Sequence, residues 1–230
     1  RKEYLSRLFD AIIFKDIIRR YKVRAPQGLG DLATYLCSNS ASEYSVHRLT
    51  KVTGCKSDLT VKKYLHYLEE AFLFFSVPRF SFKVKEQLSS HKKIYCIDNG
   101  FITAKGFRVS GDKGKLYENL VAIALKYLEF QDNLRVFYWK NSQAEEVDFV
   151  IQRERQVSEL IQVCVDAQSP ATRQREMKAL VKAGRDLKCD RLLLLTREEE
   201  GEEQIEWFGM KGVVRIMPLW KWLLDTALIH

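Results

Sequence analysis

The sequence predicts an α+β chain in two parts. The first is helix-rich and built around a helix-turn-helix; the second is an α/β domain with the order α-β-β-β-α-β. Three observations carry this. Residues 44–71 read helix, glycine turn, helix. Residues 72–97 then change from a 3.6-residue period to the two-residue period of strands. Glu118 to Asp166 holds an acid in a helical pattern, LYENLVAIALKYL, followed by the strand patterns EEVDFVI and ELIQVCV.

At 230 residues, 46% of them hydrophobic, the chain has material for two small cores and lacks the profile of disorder. No apolar run approaches the ~18–20 residues of a membrane span. The N-terminus, RKEYLSRLFDAIIF, is charged at once and carries no signal-peptide cleavage region. It starts on Arg1 rather than Met, the expectation for a fragment of a longer protein. Five dispersed cysteines, Cys37, Cys55, Cys96, Cys164 and Cys189, form no CxxC pair, and the four histidines sit at no ligand spacing from them. This argues against zinc and for a reducing, cytoplasmic compartment. The +8 net charge is uneven: residues 1–110 carry 20 Lys/Arg against 10 Asp/Glu, and residues 111–230 carry 18 against 20. A basic first half suggests contact with a polyanion, or simply a solvated basic surface.

Residues 3–22 form an amphipathic pattern with Leu5, Leu8, Phe9, Ile12, Ile13 and Ile17 on one face and Arg19, Arg20 and Lys22 in the last turn. APQGLG (25–30) reads as a break, and LATYLCS as the next helix. SVHRLTKV is a short helix with Val46, Leu49 and Val52 inward; Thr53-Gly54-Cys55 is a turn; Ser57 or Asp58 caps LTVKKYLHYLEEAF, with Leu59, Val61, Leu65, Leu68 and Phe72 apolar. That is helix-turn-helix grammar, and it equally permits a plain helical hairpin. Lys56, Lys62, Lys63 and His66 are candidate DNA contacts on the second helix. FLFFSVPRF, SFKVKEQ and KKIYCID read as strands that complete a winged helix, whose wing would bring Lys83, Lys85, Lys92 and Lys93 to phosphate. The domain spans residues 1–100, and the glycine-containing stretch 101–115 reads as a linker.

The second domain, 116–230, opens with the helix LYENLVAIALKYLEF. NLRVFYWKN, EEVDFVIQ and VSELIQVCV follow as strands. SPATRQREMKALVKAGRDL is a helix with Pro170 in its first turn. RLLLLT lacks alternation, as in a covered central strand. EEEGEEQ (198–204) reads as a solvated loop, and IEWFGMKGVVRIMPLWKWLLDTAL as a strand, a turn and a last helix. The four tryptophans read as core or interface.

FDAIIFKDIIRRYKVR, YLHYLEEAFLFF, KKIYCIDNGF, GKLYENLVAIAL, FYWKN, EEVDFVI and ELIQVCV, in this order, resemble the C-terminal half of a family of archaeal and bacterial P-loop ATPases of the AAA/STAND type. The resemblance covers nearly the whole chain. It implies a winged helix followed by a restriction-endonuclease-like PD-(D/E)xK domain, with an ATPase module before Arg1. ATP would belong to that module, since GxxxxGK[ST] is absent from this stretch.

The nuclease pattern maps its helix acid to Glu118 and its second-strand acid to Asp148. Its third-strand acid falls on Gln162 and its lysine on Cys164. Cleavage of this type holds Mg²⁺ with two or three carboxylates, while a lysine orients or activates water. Gln162 offers only a neutral carbonyl, and Cys164 cannot act as an ammonium; it reads by default as a small buried hydrophobe. Asp166 shares the face of Gln162 and Cys164, Glu159 has the wrong parity unless a bulge intervenes, and Arg173, Arg175 or Lys178 would be a migrated cation. The competing structural readings are a solvated or capping helix acid for Glu118 and, for Asp148, a structural partner such as a salt bridge. Three functions compete: a DNA-binding region of an ATPase with an incomplete nuclease site, a Mg²⁺-dependent nuclease using Glu118 and Asp148, and a protein-interaction or homo-oligomeric assembly module. The degenerate motif and the basic first half favour the first.

Overall fold

Phe9, Ile13 and Ile17 recur every fourth residue and are all buried, so the first helix turns one apolar face inward. The structure, a computed structural model, describes residues 1–107, 113–165, 169–207 and 209–228. The helix runs as α1 (Lys2–Ile12) and continues as a π-helical stretch, Ile13–Arg19. Helix α2 (Pro26–Ser38) starts earlier than the glycines suggest, because Pro26 sits in its first turn, where its missing N–H costs no hydrogen bond. APQGLG is therefore mostly helix rather than a break. After strand β1 (Ser42–Tyr44), helix α3 (Val46–Thr53) is capped by Ser45 Oγ, which accepts from the Arg48 N–H. Gly54 then takes a left-handed φ of 63°, the conformation this turn needs. Ser57 caps α4 (Asp58–Glu70) by accepting from the Thr60 N–H. Val61, Tyr64, Leu65 and Leu68 form its buried face; Val52 and Leu59, read as inward, are 53% and 63% exposed.

Strand β2 (Phe74–Pro78) follows, then helix α5 (Val84–Ser89), strand β3 (Lys92–Cys96) and helix α6 (Asn99–Lys105). SFKVKEQ thus ends in a helix, not a wing strand. β1, β3 and β2 form one sheet in that order, with β1 antiparallel to β3. Asp98 caps α6 by accepting from the Gly100 N–H at 2.6 Å, and Phe101 and Ile102 are buried in the core with Phe9, Leu32 and Leu36. Residues 101–105 are therefore structural rather than linker, because Phe101 and Ile102 of α6 pack into a core; Phe107 is exposed, and residues 108–112 of the expected linker lie outside the described residues.

The chain divides into two units, Arg1–Val77 with His91–Ile123, and Pro78–Ser90 with Ala124–His230. Helix α7 (Lys113–Gln131) contributes to both. Boundaries at 100 and 116 differ from this, because the order of the chain is not the order of packing: Pro78–Ser90 counts with the second unit, where Phe80 packs edge-on against Phe137 at 5.4 Å.

In the second unit a six-stranded sheet has the order β4 (Leu134–Lys140), β5 (Glu146–Arg153), β6 (Gln156–Val163), β7 (Leu192–Thr196), β9 (Met210–Pro218), β8 (Gly201–Trp207). β4, β5 and β6 run antiparallel in succession. Helix α8 (Pro170–Leu187) then crosses over so that β7 lies parallel to β6. All five residues of β7 are buried, as its unbroken apolar run requires. The acidic stretch 201–204 is the start of edge strand β8 rather than a loop; Glu202 faces solvent along an otherwise open edge, while Glu203 turns to Arg173 of α8. Helix α9 (Leu219–Leu228) closes the chain. Among the described residues no helix is long and apolar enough to cross a membrane.

Asn119, on α7, is fully buried. Its Oδ1 accepts from Ser40 Oγ at 2.6 Å and the Cys96 N–H at 2.9 Å, and its Nδ2 donates to the Cys96 carbonyl and Asn99 Oδ1, both at 2.8 Å. Asn119→Leu should cost about 3 kcal/mol, since it strands several buried polar groups. Lys93→Ala, which would take the buried ammonium away from the half-buried Glu118 carboxylate at 2.8 Å, should cost a similar ~3 kcal/mol. Lys92→Ala, on the exposed neighbour, should stay within about 0.5 kcal/mol. Urea denaturation midpoints check all three; equal effects at Lys92 and Lys93 would contradict this account.

Candidate functional site

The β5–β6 ladder pairs Val150 with Leu160 and Phe149 with Ile161, and then opens. Where the next backbone pair would form, side chains take over. The Asp148 N–H donates to Gln162 Oε1 at 3.0 Å, and the Val163 N–H donates to Asp148 Oδ2 at 3.1 Å. Strand parity puts Asp148, Gln162 and Cys164 on the face of Val150 and Leu160, which is the face that α8 covers. Gln162 Nε2 there donates to Glu176 Oε2 at 2.7 Å, and the Arg175 guanidinium grips the other oxygen of Glu176 at 2.5 and 3.1 Å. The result is a cross-linked cluster, Asp148–Gln162–Glu176–Arg175, with Asp148 and Gln162 both buried.

Glu176 is the residue that sequence reasoning missed. The signal was legible: it sits four residues before Leu180, beside Met177, on the inward stripe of α8, where an acid needs a partner. Of the three proposed cations only Arg175 joins this cluster. Arg173 instead holds Glu199 and Glu203 from β8 and the loop before it, and Lys178 lies 3.4 Å over the Trp207 ring. Glu159 stays on the opposite face, 3.8 Å from Arg191, beside a cavity of about 350 Å³ floored by Ile151, Leu193 and Met217. The bulge between Ile151 and Gln152 does not bring it round. Cys164 is buried in the apolar core under α8. Asp166 lies outside the described residues.

Glu118 is engaged within the first unit. Its Oε1 accepts from Lys93 Nζ at 2.8 Å and from the Tyr95 hydroxyl at 2.7 Å, and the Lys93 side chain is 3% exposed. Lys93 is thus no phosphate contact: as the alternating position of β3 facing α7, it points inward.

The expected Mg²⁺ ligands do not fit the ion. One carboxylate is committed to a buried lysine and a tyrosine in the first unit. The other accepts a backbone N–H in the second, and Gln162 directs its carbonyl at a backbone N–H rather than outward. Among the described residues no group of three or more His, Cys, Asp or Glu side chains is placed to hold a metal.

The cationic candidates divide. Lys56, Lys62, Lys63 and His66 are all exposed on or just before α4, and Lys92 is exposed on β3. Lys83 and Lys85 are exposed beside and on α5, in the second unit, and Lys83 pairs with Glu86 at 2.9 Å.

Two family models match the chain. One, a domain of unknown function (DUF8612), covers residues 1–110; the other, a domain of unknown function (DUF4143), covers residues 113–222. An uncharacterized protein of Methanocaldococcus jannaschii is 35% identical over 97% of this chain and 50% of its own length. One from Haemophilus influenzae is 27% identical over 74% of this chain and 42% of its own. The chain therefore spans about half the length of the curated relatives it matches. The boundary between the two matched regions falls in the same 108–112 stretch that separates α6 from α7.

Burial holds the Glu176 carboxyl above the usual carboxylate range; the Arg175 guanidinium opposes this, the Asp148 charge adds to it, and the Gln162 amide also opposes it. Between its unfolded value near ~4.3 and its raised folded value, the folded chain keeps a proton that the unfolded chain has released. This contribution to stability therefore falls as pH rises through that window. Glu176→Gln should remove the slope, so that the variant gains stability relative to the parent from pH ~4 upward. Parallel melting curves across pH check this; a constant difference would refute it.

Proposed function

We propose that this chain is a nucleic-acid-binding region of a larger P-loop ATPase, and that its nuclease-like sheet does not cut. The observation that carries the reading is the open face of α4. Val61, Tyr64, Leu65 and Leu68 are buried while Lys62, Lys63 and His66 project into solvent from the same helix, one turn and more beyond the Ser57 cap. A second helix after a tight glycine turn, apolar inside and cationic outside near its start, is the form that enters a DNA groove. The element order α2-β1-α3-α4-β2-α5-β3, with α5 counted in the second unit, and the strand order β1-β3-β2 support a winged-helix reading of the first unit. The order α7-β4-β5-β6-α8-β7 supports a restriction-endonuclease-like reading of the second.

The cluster around Asp148 supports the non-cutting half of the reading. A hydrolytic site needs carboxylates aimed at a metal and a group to orient water. Here the carboxylates close a strand end and a helix, and Cys164 occupies the lysine position inside an apolar core. One observation favours a protein-binding role as well: Phe82, Val84 and Leu88 lie within seven residues at and around α5 and are 70% or more exposed.

The full chain should shift a labelled DNA duplex at low salt. Lys62→Ala with Lys63→Ala should weaken binding on the order of tenfold. With Mg²⁺ or Mn²⁺ added, the DNA should stay intact. Absence of any shift would overturn the binding reading, and cleavage lost in Asp148→Ala would overturn the non-cutting one.

A further inference from the structure

The helical end that follows the π-helical stretch carries Arg20, and the turn after it Lys22 and Arg24, all exposed. Nothing in its sequence position, some 40 residues before α4, links it to that helix. Packing does. The Tyr21 ring stacks on Tyr67 of α4 with centroids 3.9 Å apart and planes 7° from parallel. The Tyr64 hydroxyl donates to the Ala25 carbonyl at 3.2 Å. The turn is itself tightly formed: the Val23 N–H donates back to the Ile18 carbonyl at 3.1 Å, and Lys22 takes a left-handed φ of 48°. A non-glycine residue in that region carries a conformational cost, which the two tyrosine contacts help offset.

Helical geometry then locates the turn on α4. Tyr67 lies one turn beyond Lys63, and Tyr64 is its sequence neighbour, so the segment 21–25 runs along the Lys63 side of the helix. Arg20 is held there by its own ring contact, its guanidinium carbon 5.3 Å from the Tyr21 centroid. The open face of α4, with Lys62, Lys63 and His66, is therefore flanked by a second cationic row on a rigid turn. The exposed acids on these segments, Asp16, Asp58 and Glu70, lie along the chain outside the Arg20–Arg24 stretch, and Asp58 accepts from Thr50 Oγ1 at 2.6 Å.

We infer that Arg20, Lys22 and Arg24 form a phosphate-binding shoulder beside α4, gripping the sugar-phosphate backbone of a duplex whose groove α4 enters. This rests on the binding reading proposed above and adds residues to it. Helices that read a groove need backbone contacts on their flank to fix their register, and such contacts carry no sequence preference. Arginine and lysine on an anchored turn supply them.

The test is the salt dependence of duplex affinity for the full chain, measured by fluorescence anisotropy with a labelled mixed-sequence DNA. Each phosphate contact contributes about 0.9 to the slope of log affinity against log salt. The variant Arg20→Ala, Lys22→Ala, Arg24→Ala should lose about 2.7 from that slope's magnitude. Arg20→Lys with Arg24→Lys should keep the parental slope, which separates lost charge from lost fold. If the parent binds and Lys62→Ala with Lys63→Ala lowers its slope, but the triple variant leaves it unchanged, the shoulder is overturned and the α4 reading stands. If the parent binds no duplex at any salt, the binding reading falls and the shoulder with it.

Discussion

The fully buried amide of Asn119 ties together the end of β3, the start of α6, the turn after α2 and the helix α7. All of its hydrogen-bonding groups are used within the first unit. One residue earlier, Glu118 accepts from Lys93 and Tyr95, on the same strand whose last residue, Cys96, Asn119 binds. Two consecutive residues of α7 thus read successive positions of one strand. Such a network is costly if any member is missing and specific when complete, so it sets the position of α7 in that unit. Pairing a carboxylate with an ammonium in a low-dielectric interior stabilises little by itself; what it does is make other arrangements expensive.

The second unit uses its polar residues in the same way. Where two antiparallel strands separate, the Asp148 N–H donates to the Gln162 side chain and the Asp148 carboxylate accepts from the Val163 N–H, and Gln162 passes the connection to Glu176 on α8. A nuclease would leave these carboxylates convergent on an ion. Here the amide at position 162 differs from an acid in geometry as well as in charge, because an amide donates. Its Nε2 draws Glu176 in and joins sheet to helix. Two residues on, Cys164 fills apolar space under α8. Both acids that a metal site would claim are used to hold secondary structure together.

The basic character of the first half has an equally divided meaning. Lys92 and Lys93 are neighbours of the same type, yet alternation along β3 sends one to solvent and the other into a buried ion pair. Lys62 and Lys63 both stay outside because the buried stripe of α4 runs through Val61, Tyr64, Leu65 and Leu68 and leaves them on the far side. Tyr21 and Tyr67 stack although neither carries charge, and in doing so they carry Arg20, Lys22 and Arg24 to the flank of that helix.

By itself the sequence determined the local elements whose signals are short-range: a cap at Ser57 or Asp58 and the Gly54 turn before α4, the strands β5 and β6, the uniform burial of β7, and the helix α8 with Pro170 in its first turn. Each follows from backbone geometry within a few residues. It also made Asp148, Gln162 and Cys164 legible as one face, since a strand has a period of two. It did not determine partners. Whether Glu118 meets a metal or Lys93, whether SFKVKEQ becomes strand or helix, and whether 101–105 links or packs all depend on residues remote in the chain. Tertiary structure decided those, because a buried charge or an apolar side chain takes its place from whatever surrounds it, and hydrophobic burial outweighs local preference wherever a core is available to complete.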